Sequence, residues 1–168
     1  MKINFNNLIN TLSILLLFFL LLKKVPDIYQ NYKIEGSEAP ALDFLSLDGK
    51  AQKLTNNKPL VLIFWATWCG PCRVELARIN SFIKSNPNLK EHFLAISSLE
   101  DDNLVTKTIA ERNYIIPAGL DPKGDLTSKF NISGTPTILF ISKENKIHWK
   151  GAGLSPTLDL RLKNFLTK

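Results

Sequence analysis

The chain has 168 residues, of which 45% are hydrophobic and 21% charged, as in an ordinary globular domain with at most a short appendage. This composition excludes a disordered tail, a collagen and a multi-span membrane protein, and two cysteines are too few for a disulfide-rich scaffold. Half of the net charge of +6 lies in residues 1–24, which contain no acid. The other basic residues are scattered, so no nucleic-acid-binding surface is predicted.

The first 24 residues contain an apolar segment. Residues 14–22 read ILLLFFLLL, and extension back to Ile3 gives a segment of about 20 positions, the length of a membrane span. A cleaved signal peptide needs small residues after the apolar run, but the sequence KKVP follows it. A buried core helix is disfavoured because the run has no polar face. Residues 1–24 are therefore predicted to be an uncleaved transmembrane anchor, followed by a linker at 25–37.

Strand and helix patterns alternate along the rest of the chain. A β-hairpin is predicted to turn at Asp48-Gly49, and LVLIFW at 60–65 is apolar throughout, which is typical of a strand buried on both faces. Strands are predicted at 39–47, 50–54, 60–65, 93–97, 114–120, 137–142 and 146–150. Helices are predicted at 71–84, 103–113 (capped by Asp101 or Asp102), 125–130 and 158–166. This alternation predicts an α/β sheet covered by helices.

Both cysteines lie in one Cys-x-x-Cys motif, Cys69-Gly70-Pro71-Cys72, between the apolar strand and the next helix. Free N–H groups and a partial positive charge at a helix N-terminus stabilise a thiolate and lower the pKa of the first cysteine. The second cysteine lies one turn later and can close a disulfide with it. The motif in this position favours a redox-active pair.

Three other interpretations of the motif are weaker. A zinc site needs about four ligands, and His92 and His148 are single and distant in sequence. A purely structural disulfide would close a loop too short to constrain the unfolded chain much. A peroxidatic cysteine would normally follow a proline and a threonine or serine at the positions that Leu62 and Ala66 occupy. We predict neither a metal site nor an organic cofactor.

The segment FWATWCGPC at 64–72 resembles the active-site segment of the thioredoxin superfamily, and GTPT at 134–137 resembles its cis-proline loop. The hairpin and the extra strand and helix between these motifs make residues 38–168 similar to the membrane-anchored, extracytoplasmic TlpA/ResA-like branch. The resemblance implies a thioredoxin-like fold with an N-terminal β-hairpin, a central β-α insertion and a central mixed sheet flanked by helices.

The resemblance also implies roles for individual residues. Cys69 corresponds to the attacking cysteine and Cys72 to the resolving one, with a redox disulfide between them. Pro136 corresponds to the cis-proline, which exposes the backbone of Thr135 to a substrate strand.

Several neighbours of the cysteines complete the expected site. Trp68, Gly70 and Pro71 are expected to contact substrate, and Trp65 and Trp68 to pack around the disulfide.

Glu75, three residues after Cys72, matches an active-site glutamate of this branch, whereas Ile63 stands where cytosolic thioredoxins carry a buried aspartate. We hypothesise that Glu75 supplies the proton-handling group that this aspartate would supply. The alternative is that Glu75 is an ordinary solvated helix residue.

The expected function is reduction of disulfides in exported proteins, because Gly-Pro between the cysteines resembles the reducing members. The resemblance implies a single-pass protein of the bacterial cytoplasmic membrane, with a monomeric catalytic domain facing outward and a membrane electron donor of the thiol-reductase type. Apocytochrome c and copper-site assembly proteins are the expected substrates. Two alternatives stay open: a disulfide oxidant or isomerase, and a non-enzymatic module that binds a partner or carries metal.

Overall fold

A computed structural model of the chain describes residues 10–19, 34–54 and 57–167. These residues belong to two compact units, Met1–Ile34 and Glu35–Lys168. In the first unit, residues 10–19 form a helix, α1, with exposed apolar side chains.

The predicted anchor at 1–24 and the linker at 25–37 fall largely outside the described residues. Within the described ranges, no helix combines the length and the hydropathy that crossing a membrane requires. The anchor therefore stays a prediction, as do the domain boundaries drawn from it.

The second unit alternates strands and helices in the predicted order. Its strands are β1 (Leu42–Ser46), β2 (Ala51–Leu54), β3 (Leu60–Trp65), β4 (Phe93–Ser98), β5 (Ala118–Asp121), β6 (Thr137–Ile141) and β7 (Ile147–Ala152). Its α-helices are α2 (Gly70–Ser85), α3 (Asp102–Glu111), α4 (Asp125–Lys129) and α5 (Leu158–Leu166). A 3₁₀ helix at Pro87–His92 was not predicted. Asp101 caps α3 by accepting a hydrogen bond from the Leu104 amide at 3.0 Å, which confirms one of the two predicted caps.

All seven strands form one mixed sheet in the order β2-β1-β5-β4-β3-β6-β7. β3, β4 and β5 are parallel neighbours, and the other pairs are antiparallel. β1 and β2 form the predicted hairpin, and α3, β5 and α4 occupy the expected insertion between β4 and the 134–137 loop. The α/β thioredoxin-like architecture with a central mixed sheet is confirmed.

Two strands begin several residues later than predicted, because the backbone N–H groups at the predicted starts are absent or used elsewhere. β1 begins at Leu42 rather than at residue 39, where the Ala39 amide donates to the Asn145 carbonyl at 2.8 Å. β5 begins at Ala118 rather than at residue 114. There the Tyr114 amide donates back to Ile109 at the end of α3, and Pro117 has no N–H to give to a ladder.

β3 lies at the centre of the sheet and places the Cys-x-x-Cys motif. All six of its residues are buried, as the apolar pattern predicted, and burial of each large aliphatic side chain stabilises the fold by about 1.5–3 kcal/mol. Parallel pairing of β3 with β4 brings Trp65 and Ser97 side by side at the same sheet edge. The loops after both strands therefore border the cysteines.

Gly119 in β5 allows close packing with β1. A Cβ atom at this position would lie 2.3 Å from Cδ2 of Phe44 and 3.0 Å from Cδ1 of Ile96. We expect Gly119→Ala to lower the free energy of unfolding by about 1–3 kcal/mol because the Phe44 ring must move. Denaturant unfolding measures this loss. Gly134→Ala is the matched control, since nothing lies within 4 Å of its added methyl; equal losses in both variants would contradict the packing argument.

Candidate active site

The two cysteines lie where the turn after β3 enters α2. Cys69 is the N-cap of the helix, and its Sγ accepts a hydrogen bond from the Cys72 amide at 3.1 Å. The two residues form a disulfide with their Cα atoms 5.2 Å apart. The sulfur of Cys69 thus lies at the positive end of a 16-residue helix, where a thiolate is stabilised.

The cis-proline loop borders the disulfide. The Thr135–Pro136 peptide bond is cis, as the resemblance implied. The Thr135 carbonyl oxygen lies 3.5 Å from Cys69 Sγ. The loop is fixed on its other side, because the Gly153 amide donates to the Pro136 carbonyl at 2.7 Å.

Both cysteines are buried, and they differ little in exposure. Cys72 has no exposed surface, and Cys69 retains 3%. Trp68 is 76% exposed, so the expectation that it packs around the disulfide is wrong, whereas Trp65 is buried in the same core cluster as both cysteines. Trp68 lies in the turn between the end of β3 at Trp65 and the start of α2, and its side chain faces solvent. An exposed indole beside the redox pair fits the predicted contact with substrate.

Glu75 is fully buried, which contradicts the alternative of a solvated helix residue. Its Oε1 accepts a hydrogen bond from the Ser155 amide, and its Oε2 lies 3.1 Å from Arg78 Nη1. The same guanidinium donates to the Ser155 carbonyl at 2.8 Å and to Asp159 at 2.8 Å. Side chains of α2 therefore bind both the backbone amide and the backbone carbonyl of Ser155, in the β7–α5 loop. The hydrogen bond to Asp159 is the main cause that raises the pKa of Arg78, with the charge of Glu75 acting in the same direction.

Glu100 is a site residue that the sequence reasoning missed. It follows β4, and its carboxylate accepts hydrogen bonds from the amide and the hydroxyl of Thr67 and from the hydroxyl of Ser97. The Thr67 amide nitrogen lies 3.0 Å from the nearer carboxylate oxygen. These bonds fasten the β4–α3 loop to the turn that leads into Cys69. An acid directly after a buried strand parallel to β3 was the available signal, because the carboxyl ends of parallel strands meet at one sheet edge.

The remaining predicted residues are also placed at this edge. Gly70 and Pro71 begin α2 between the cysteines, and Pro71 is exposed while Pro136 is buried. Among residues 10–19, 34–54 and 57–167, no three His, Cys, Asp or Glu side chains are grouped so as to hold a metal ion. The substrate contacts of these residues stay predictions.

Comparison with known proteins places this geometry in a family. A family model described as Redoxin matches residues 34–164. A thioredoxin-like protein of Haemophilus influenzae is 32% identical over 117 residues, which cover 70% of this chain and 68% of the relative. The thiol-disulfide oxidoreductase ResA of Bacillus thuringiensis is 28% identical over 128 residues, covering 71% and 74%. The crystal structure of StoA from Bacillus subtilis shares the fold, with a TM-score of 0.61, 21% identity, and coverage of 73% of this chain and 95% of StoA.

Proposed function

We propose that this chain, which belongs to the Redoxin family and is a TlpA/ResA-like thiol–disulfide oxidoreductase of the thioredoxin superfamily, reduces disulfides of exported proteins. The observation that carries the proposal is the Cys69–Cys72 pair at the N-terminus of α2, with the Cys69 sulfur accepting a hydrogen bond from the Cys72 amide. Gly70-Pro71 between the cysteines resembles the reducing members and supports this direction of electron flow.

The reaction starts from the dithiol. The Cys69 thiolate attacks one sulfur of a substrate disulfide, forms a mixed disulfide and releases the other substrate sulfur as a thiolate, which takes up a proton. Cys72 then loses its proton and attacks Cys69, and the second substrate sulfur leaves and is protonated. Two electrons pass to the substrate, and the chain is left in the disulfide form that the structure contains.

The neighbours of the disulfide have distinct roles in this mechanism. Thr135 offers its backbone beside Cys69, where an extended substrate segment can pair with it, and Pro136 holds that backbone in place. Trp68, Gly70 and Pro71 form the adjoining surface. Glu75 is proposed to handle the proton of the buried Cys72 thiol, a role that Ile63, buried and apolar, leaves to another residue.

The cellular setting is proposed on the sequence. Residues 1–24 would anchor the chain in the bacterial cytoplasmic membrane, residues 25–37 would link it, and the monomeric domain at 38–168 would face outward. A reductase in that location must be recharged, so we propose a thiol-reducing donor in the membrane. Apocytochrome c and copper-site assembly proteins are the proposed substrates.

The reduction potential of the Cys69–Cys72 pair in the full chain tests the direction of electron flow. Equilibration against thiol buffers should give a value near about −270 mV, as for thioredoxin. A value near about −120 mV would overturn the proposal in favour of a disulfide oxidant, since reductants of exported disulfides lie well below it. Failure of the reduced chain to reduce any protein disulfide, insulin included, would instead favour a module that only binds a partner.

A further inference from the structure

A positively charged side chain borders the redox pair. Arg73 follows Cys72 in the first turn of α2, and its side chain is exposed. Its Nη2 lies 3.7 Å from the point that a Cβ atom on Gly70 would occupy. The guanidinium therefore lies along the dipeptide that joins the two cysteines, where it faces any polypeptide that reaches Cys69.

Helix α2 brings a second segment to the same side. Asn80 is buried, and it is seven residues after Arg73, so both lie on one face of α2. Its Oδ1 accepts a hydrogen bond from the Ile115 amide at 2.7 Å, and its Nδ2 donates to the Asn113 carbonyl at 3.2 Å. This amide thus fastens residues 113–115 to the face that carries Arg73.

Tyr114 lies between these two hydrogen-bonded residues, and it approaches the active site. Its ring meets the indole of Trp65 edge to face, with centroids 6.5 Å apart. Burial raises the pKa of Tyr114, while the charge of Arg112, a hydrogen bond from Arg112 and the charge of Arg73 oppose that rise. Arg112 lies two residues before Tyr114 in the chain, and Asn80 fastens the segment around Tyr114 to the helix that carries Arg73.

Among the residues that the structure describes, Arg73 and Arg112 form no ion pair, although Arg78, on the same helix as Arg73, pairs with two acids. Glu111, next to Arg112, is paired with Lys107 on its own helix at 3.8 Å. Two exposed guanidiniums without an ion pair and the half-buried Tyr114, which contacts Trp65, thus offer hydrogen-bond donors near the turn that carries the cysteines.

We propose that Arg73, Arg112 and Tyr114 bind a carboxylate side chain of the substrate next to the cysteine that Cys69 attacks. The inference rests on the proposed function and adds the class of substrate: disulfides flanked by Asp or Glu. Planar guanidiniums donate paired hydrogen bonds to a carboxylate, and a phenol hydroxyl supplies a further donor. Charge complementarity of this kind chiefly raises the rate of association and depends on salt.

Three synthetic cystine peptides test the inference with the reduced full chain. They are identical except for the residues flanking one half-cystine, which are Glu, Gln or Lys. Acid quenching and chromatography give the second-order rate constant of reduction for each. We expect the Glu peptide to react about fivefold faster than the Gln peptide, and the Lys peptide to react most slowly. In 0.5 M NaCl the Debye length is about 4 Å, so the ratio of the Glu to the Gln rate should shrink towards one.

Variants then assign the preference to the proposed residues. In Arg73→Gln/Arg112→Gln, the ratio of the Glu to the Gln rate should fall to about one, whatever happens to the individual rates. Lys84→Gln, which removes one charge from the last turn of the same helix, should keep the ratio. Equal rates for the three peptides, or a Glu-to-Gln rate ratio that is unchanged in the double variant, would overturn the carboxylate-binding site alone. No reduction of any peptide would overturn the proposed function and the carboxylate-binding site with it.

Discussion

Cys69→Ser is expected to abolish disulfide reduction, whereas Cys72→Ser is expected to stop the reaction at a mixed disulfide. Loss of the nucleophile should lower the rate on the order of 10³-fold or more. Cys72 has no exposed surface, and the Cys69 sulfur lies at the helix N-terminus beside Thr135. Substrate therefore reaches Cys69 first, and without the Cys72 thiol the bound substrate stays attached to Cys69 as a mixed disulfide. Non-reducing electrophoresis and mass spectrometry detect the trapped species.

The paired variants control each other, since both replace one sulfur of the same motif by oxygen. Only Cys72→Ser should accumulate the covalent complex, and dithiothreitol should release it. A complex that forms with Cys69→Ser would reverse the two assignments. In Cys72→Ser, attack of the second substrate thiol on the mixed disulfide only re-forms the substrate disulfide, so net reduction of substrate without added thiol would contradict the assignment of Cys72 as the resolving cysteine.

The second large effect is expected at Glu75. Glu75→Ala should lower the free energy of unfolding by about 3 kcal/mol, because it leaves the Ser155 amide without its acceptor and the half-buried Arg78 with one acid fewer. Glu75→Gln keeps one oxygen acceptor and should lose about 1–2 kcal/mol. Urea denaturation of the disulfide form gives both values.

Glu91→Ala is the matched control for this loss. Glu91 also pairs with a cation, Lys58 at 2.8 Å, but its side chain is 81% exposed, so its removal should change the free energy of unfolding little. Similar losses for Glu75→Ala and Glu91→Ala would contradict a stabilising role for the buried network. The rate of exchange of Glu75→Gln separately tests proton handling: an unchanged pH profile would leave Glu75 with the structural role alone.

Local sequence patterns predicted most of the fold. The apolar run of β3, the turn at Asp48-Gly49 and the cap at Asp101 each depend on residues a few positions apart, and each prediction is confirmed. The ends of β1 and β5 were missed because they depend on where single amide groups find acceptors. The Asn145 carbonyl that receives the Ala39 amide is far along the chain and invisible to a local pattern.

The candidate site was predicted as a set of motif residues but not as a network. Glu75 was selected for its spacing from Cys72, yet its partner Ser155 lies 80 residues away, in a loop without a distinctive sequence. Glu100 was missed although it contacts Thr67, 33 residues earlier. Both contacts form only when the sheet brings separate loops to one edge, so spacing along the chain carries no information about them.

The hold of α2 on the Ser155 backbone has a consequence for protein engineering. The redox centre is built from three separate segments: the start of α2, the cis-proline loop and the β7–α5 loop. The β7–α5 loop connects the other two, because Gly153 bonds to the cis-proline loop and Ser155 bonds to α2. Grafting FWATWCGPC onto a foreign scaffold would transplant the sulfurs and the start of a helix. It would leave behind the cis-proline loop and the β7–α5 loop, which both come from the last third of the chain.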